Sequence, residues 1–295
     1  MKMRAALIGG AALLLLAGAG GGVLWLYRAG TPAAEAALEA PAKPVAPVES
    51  PPDSQALPLP VPPVPPRIAQ GEDYERCLAM LDRDPEGART MAETWQSADG
   101  GEGATHCLAL ATIELGEPET GAQMLEQLAG SSKAADLARA AVFGQAGQAW
   151  LMAGEAGRAY GAATLALALS PNDPDLLIDR AVAAGTLKHF ADAISDLDRA
   201  LDIDPKRPDA LVLRGSAWRH DGQLDLARDD IDRALAQDPE NAEAYLERGI
   251  LRQRRGDVDG AHADWERAMK LAPDSPTADL AQQNLALLEA GPARQ

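Results

Sequence analysis

Aromatic side chains are scarce in this sequence, with two Phe, four Tyr and five Trp among 295 residues. Hydrophobic residues still make up 46%. Alanine and leucine must therefore fill the core, which favours close-packed helices over strands. Basic charge is the second shortage: 27 Lys and Arg face 44 Asp and Glu, a formal net charge of −17. Residues 1–70 hold five of the basic and four of the acidic groups, so the excess of acid lies beyond them. Such a surface repels phosphate backbones and argues against nucleic acid as a partner. Cysteine occurs only at Cys77 and Cys107. Neither lies near the N-terminus, which excludes a lipoprotein anchor there.

Catalytic constellations are missing as well. No serine lies in a G-x-S-x-G setting, and no glycine loop matches a phosphate cradle. GAGGG at 18–22 is glycine-rich but falls inside an apolar run. His106, His189, His220 and His262 never pair at i, i+4 or with two cysteines, so no metal site is expected. The carboxylates alternate along exposed helix faces, where solvated surface is the default. The expectation is a non-enzyme without cofactor or metal.

Long apolar runs are limited to one. Lys2 and Arg4 precede an uncharged stretch from Ala5 to Tyr27, closed by Arg28. A helix over it would be ~33 Å long, about the thickness of the hydrocarbon core. Two readings fit residues 1–30. Ala17-Gly18-Ala19 resembles a cleavage site, which makes the stretch a secretory signal. The run continues through VLWLY, however, and Trp25 and Tyr27 sit where interfacial aromatics belong. An anchor at residues 5–27 is therefore the leading expectation. The positive charge ahead of it keeps the N-terminus cytoplasmic and exports the rest, giving a single-pass inner-membrane protein with a periplasmic C-terminal domain. Cleavage would instead release a soluble periplasmic protein. Residues 31–70 hold twelve of the 22 prolines. They read as a disordered, stiff Pro/Ala-rich linker, with a reach on the order of 100 Å at ~3.1 Å per residue.

From Ala140 the chain repeats itself. Pro171, Pro205, Pro239 and Pro273 are spaced by 34 residues, in register with Ala159, Ala193, Ala227 and Ala261. Ala166, Ala200, Ala234 and Ala268 form another column, and Gly147, Ala181, Gly215 and Gly249 a third. This period with these small residues signals stacked helix–turn–helix units. Larger positions follow the same spacing: Phe143, Leu177, Leu211 and Tyr245, then Ala163, Leu197, Ile231 and Trp265. An aromatic stands at Trp150 and Trp218 but is lost at Ala184 and Arg252.

These columns resemble the tetratricopeptide repeat family over residues 140–275. The resemblance implies an all-α solenoid of four repeats, at 140–173, 174–207, 208–241 and 242–275. Residues 276–291 read as a capping helix, and 71–139 as degenerate helical repeats with breaks at Asp84-Pro85 and Gly116-Glu117-Pro118. A single helix pair cannot bury both its faces, so stacking must supply the stability.

One observation resists a simple apolar stripe. Leu211, Gly215 and Trp218 share a helix face at i, i+4 and i+7, yet Arg214 lies on it too. Its counterparts are Arg180 and Arg248, and sixteen residues after each arginine stands an aspartate: Asp196, Asp230 and Asp264. The first repeat has Ala146 and Ala162 in the two places, so both partners vanish together. Three structural ion pairs within repeats are expected. Cys77 and Cys107 begin the similar segments CLAML and CLALA. Equivalent positions on adjacent stacked helices lie close, so a disulfide is expected if the domain is exported.

The resemblance places a partner-binding groove along the first helix of each repeat. Its residues are Gln148, Leu151 and Met152, then Ile178 and Val182, then Val212, Ser216, Arg219 and His220, then Leu246, Ile250, Gln253 and Arg254. Some family members clamp a chaperone's terminal carboxylate with lysines and asparagines there. Here Ile178 and Val182 replace the first such pair, and Glu243 and Glu247 occupy later basic positions. The expected ligand is a protein or peptide with apolar anchors and an acidic group meeting Arg219 and Arg254. The function expected is a scaffold or assembly factor. A periplasmic chaperone is an alternative, as is an apoprotein-presenting factor of the cytochrome c maturation type, the latter on layout alone.

Overall fold

The computed structural model describes residues 67–290 of the chain. The expected anchor at 5–27 and nearly all of the 31–70 linker lie outside the described residues. No described helix is long and apolar enough to cross a membrane.

The described chain is an α-solenoid of thirteen helices. Two pairs lead it: α1 (Glu72–Met80) with α2 (Pro85–Ser97), and α3 (Gly101–Glu114) with α4 (Pro118–Ser131). Four pairs follow the 34-residue period: α5 (Asp136–Met152) and α6 (Ala156–Leu169), α7 (Pro174–Thr186) and α8 (Phe190–Ile203), α9 (Pro208–His220) and α10 (Leu224–Gln237), α11 (Ala242–Arg254) and α12 (Val258–Leu271). The last helix, α13 (Pro276–Ala290), packs on α12 and α11. Each helix lies against the next, and first helices of successive pairs also touch.

Local chemistry sets the boundaries. Pro174 and Pro208 begin α7 and α9, where a missing N–H costs nothing. Asp84, Asp173, Asn241 and Asp257 accept backbone N–H bonds at the starts of α2, α7, α11 and α12. Helix α5 begins at Asp136, four residues ahead of the period; Leu137 and Ala140 stand where the next repeat has Pro171 and Pro174. Helix α4 runs through Gly130 and Ser131, and the joint falls after them, where Ser132 is extended.

Between the paired helices the chain turns through the left-handed region at Gly154, Gly222 and Gly256, with φ of 77°, 87° and 82°. The same position in the second repeat is Lys188, with φ 64°. A β-carbon is unfavourable there. Lys188→Gly should therefore raise stability by up to ~1 kcal/mol, read as an increase in Tm; a drop would mean that the lysine side chain holds the turn.

The packing rests on small residues facing large ones. A β-carbon on Gly215 would stand 2.9 Å from Ile231 Cδ1 and 3.2 Å from the Ala227 carbonyl. Trp265 is fully buried, and its indole N–H donates to the Leu246 carbonyl at 3.2 Å. Leu177, Leu197, Leu211 and Ile231 are buried as the repeat columns imply, but Trp218 is only half-buried.

At the N-terminal end, Ile68 already belongs to the core. Cys77 and Cys107 form a disulfide joining α1 to α3, with Cα atoms 6.2 Å apart. Closing a loop of 30 residues stabilises the fold by ~3.6 kcal/mol on the loop-entropy account, by restricting the unfolded chain. Beside it, Tyr74 Oη lies 2.7 Å from His106 Nδ1, and His106 Nε2 lies 2.7 Å from Gln145 Oε1. One buried polar chain thus crosses the first helices of three successive pairs. Burial drives the His106 pKa down to about 4, so the ring is neutral at pH 7.

Candidate functional site

The expected site residues fall into three groups. The arginine–aspartate sets come together in all three repeats. Arg180 reaches Asp196 with Nε and Nη2, both at 2.7 Å. Arg214 does the same to Asp230, also at 2.7 Å. Arg248 donates to Asp264 at 2.9 and 2.7 Å. The three aspartates are buried, so each fork meets its carboxylate inside the helix pair. The neighbours differ in ways the sixteen-residue spacing does not announce. Arg214 has a second carboxylate, Asp198, at 2.6 Å. Asp264 also holds Arg252 at 2.9 Å, and Asp230 holds the exposed Arg233 at 3.2 Å. The pKa of Arg180, Arg214 and Arg248 is raised in each case, first by the hydrogen bond to its aspartate.

The groove residues divide by depth. Leu151, Ile178, Val212, Ser216 and Leu246 are buried in helix packing. Gln148, Val182 and Ile250 are half-buried, while Met152, His220, Gln253 and Arg254 are exposed at the C-terminal ends of their helices. The imidazole of His220 stacks on Phe190, with centroids 4.7 Å apart.

Arg219 corrects the sequence reading. It is 3% exposed and does not edge an open groove. Its Nε donates to Glu247 Oε2 at 2.7 Å and its Nη2 to Oε1 at 3.1 Å, while Ser216 Oγ donates to the same Oε1 at 3.0 Å. The charge expected to meet an acidic ligand is matched inside the protein, in a contact that ties α9 to α11.

What remains along the first helices is mainly acid. Asp175, Asp209 and Glu243 share one repeat column, and Asp179 and Glu247 another. Arg207 bridges the first two, with Nη1 2.7 Å from Asp175 and Nη2 2.7 Å from Asp209. Glu243 has no such cation among the described residues. Its pKa is raised, first by loss of water around the carboxyl and then by Asp209 and Glu247. Asp179 accepts two bonds from Gln148 Nε2, at 3.3 and 3.1 Å. Burial still pushes it up to about 7, and Asp175 and Asp173 add to the shift.

A carboxyl that holds its proton more tightly when folded weakens the fold as it is forced to ionise. Stability should therefore fall between about pH 4 and pH 7 on account of Asp179 and level off above. Asp179→Asn should be nearly neutral at pH 4 and stabilising at pH 8, read from thermal unfolding across that range. An offset that does not change with pH would rule this out.

Among the described residues no group of three His, Cys, Asp or Glu is placed to hold a metal ion. The arrangement offers apolar patches, carboxylates and a few exposed polar tips. It suits recognition of another chain.

Two family profiles, both described as tetratricopeptide repeat, match residues 178–242 and 213–286. Among solved structures, a chain of the APC/C hetero-tetramer Cut9-Hcn1 is 18% identical, with a TM-score of 0.56 over 72% of this chain. The match takes in 42% of that longer chain. Pseudomonas aeruginosa pilF is also 18% identical, with a TM-score of 0.56 over 72% of this chain and 96% of its own. TTC0263, a TPR protein of Thermus thermophilus, is 19% identical, with a TM-score of 0.52 over 63% of this chain and all of its own. At such identities the likeness extends to the fold alone. The comparison with curated proteins gave no match.

Proposed function

The chain is a tetratricopeptide repeat protein, and we propose that it works as a non-catalytic scaffold displayed on the periplasmic side of the inner membrane. Repeat solenoids of this kind serve protein–protein interaction. The finer reading rests on the row of first-helix carboxylates, in which Glu243 has no cation in contact among the described residues and Arg219 is occupied by Glu247. The partner segment that fits carries apolar side chains for the patches around Val182 and Ile250 and basic side chains for the acidic row. Export is supported by the charge asymmetry around residues 5–27 and by the Cys77–Cys107 disulfide, since disulfides persist in oxidising compartments.

The test uses the full chain and fluorescent peptides that alternate leucine with either lysine or glutamate. The lysine peptide should bind more tightly at low salt, and Glu243→Lys should weaken it about tenfold. Equal binding of both peptides, or no effect of Glu243→Lys, would remove the acidic-row reading.

A further inference from the structure

Two repeat columns change character at the junction between α10 and α11. The column holding Trp150 and Trp218 holds Arg252 in the last repeat, and the column holding Tyr160 and Ile194 holds Arg228 in the third. Two packing positions have thus become arginine on facing elements. The apolar core divides in the same region: a small cluster around Leu246, Ala261 and Trp265 stands apart from the main one. Between α10 and α11 lies a cavity of about 260 Å³. Arg228, Arg248, Arg252 and Arg255 line it, and Asp232 and Asp257 are the carboxylates in its wall. Three further aspartates hold these arginines without lining the cavity: Asp264 holds Arg248 and Arg252, Asp225 holds Arg255, and Asp229 holds Arg228.

One comparison within the molecule shows what the cavity lacks. At the preceding junction Arg214 Nη1 donates to Asp198 at 2.6 Å. One repeat later Arg248 and Asp232 occupy the equivalent places, yet among the described residues Arg248 Nη1 has no acceptor. The wall therefore presents an uncommitted guanidinium edge and a carboxylate across a gap, with three more guanidiniums around it. A group that accepts hydrogen bonds from arginine and also donates one to a carboxylate would close that gap. Monohydrogen phosphate has both capacities, whereas sulfate and carboxylate ligands at neutral pH lack the proton to donate.

We propose that this cavity binds a phosphate oxyanion, held by Arg248, Arg252, Arg228 and Arg255, with its remaining hydroxyl donating to Asp232. The chain's net charge of −17 repels anions in general, so the response must come from a local site and not from the overall field. The site shares no residue with the acidic row, and its fate is independent of that reading.

The experiment titrates inorganic phosphate, sulfate and glycerol phosphate into the full chain at constant ionic strength, read by calorimetry and Tm. Phosphate should bind saturably and raise Tm, and sulfate should bind about tenfold more weakly. In glycerol phosphate the ester oxygen replaces the hydroxyl that would donate to Asp232, so at neutral pH the ester should bind more weakly than the free ion; equal or tighter binding would remove the Asp232 contact. Arg252→Trp and Arg228→Ile restore residues that other repeats of this chain already carry, so they keep the fold while filling the cavity. Each should weaken phosphate binding about tenfold, and Arg228→Ile, which leaves the Arg252–Asp264 contact in place, should do so without lowering Tm in the absence of phosphate. No saturation up to about 10 mM phosphate, equal binding of sulfate, or unchanged binding in folded variants would overturn the proposal.

Discussion

Asp264→Ala should cost about 3–5 kcal/mol of folding free energy, and Asp230→Ala roughly a kilocalorie less. Both carboxylates are buried and both receive a forked arginine. The expected difference comes from what each arginine retains. Without Asp230, Arg214 still has Asp198 at 2.6 Å. Without Asp264, Arg248 has no second carboxylate in contact among the described residues, and Arg252 loses its closest one as well. Stranding a charge inside protein is the expensive part of such a loss, more than forfeiting the attraction itself. Denaturant unfolding of the single and paired variants measures this. Arg248→Ala with Asp264→Ala should cost clearly less than the sum of the singles, and strictly additive losses would refute the coupling.

Glu247→Ala should be as damaging, at about 3–5 kcal/mol, because Arg219 and Ser216 both depend on it. Here the chain supplies its own control. The column of Arg219 holds Leu151 in the first repeat, and that of Glu247 holds Leu213 in the third. Replacing both partners with leucine should bring stability back to within ~1 kcal/mol of the parent, since a well-packed apolar pair often matches a buried ion pair. If the double leucine variant were as unstable as Glu247→Ala, the pair would be specifying helix geometry that leucines cannot reproduce.

These two contacts also show what a single sequence discloses. The Arg214–Asp230 set could be read because it recurs three times at one spacing and is absent as a unit from the first repeat. The Arg219–Glu247 contact occurs once, 28 residues apart and across a repeat boundary, so no column reports it. Helix positions follow the period where proline punctuates it and drift at α5, where Leu137 stands in the column of Pro171, Pro205 and Pro239. The depth of groove residues is the least legible property. Whether Leu151 or Val212 faces solvent depends on how far one unit rotates on the next, and that rotation is a sum of many contacts rather than a local pattern. Arg219 is misread from sequence for this reason. It stands on a face that the next repeat covers.

The disulfide between α1 and α3 also decides how a mechanical load would travel. A pull on the chain ahead of Arg67 enters α1 and crosses directly from Cys77 to Cys107. The chain between the two sulfurs, which includes all of α2, then bears no tension and cannot be drawn out. Force arrives at α3, where the chain continues into the rest of the solenoid. Under oxidising conditions the N-terminal end would act as a clamp, and yielding would begin further along the stack. Reduced, the same end would yield from α1 onward, releasing an extra thirty residues' length of chain.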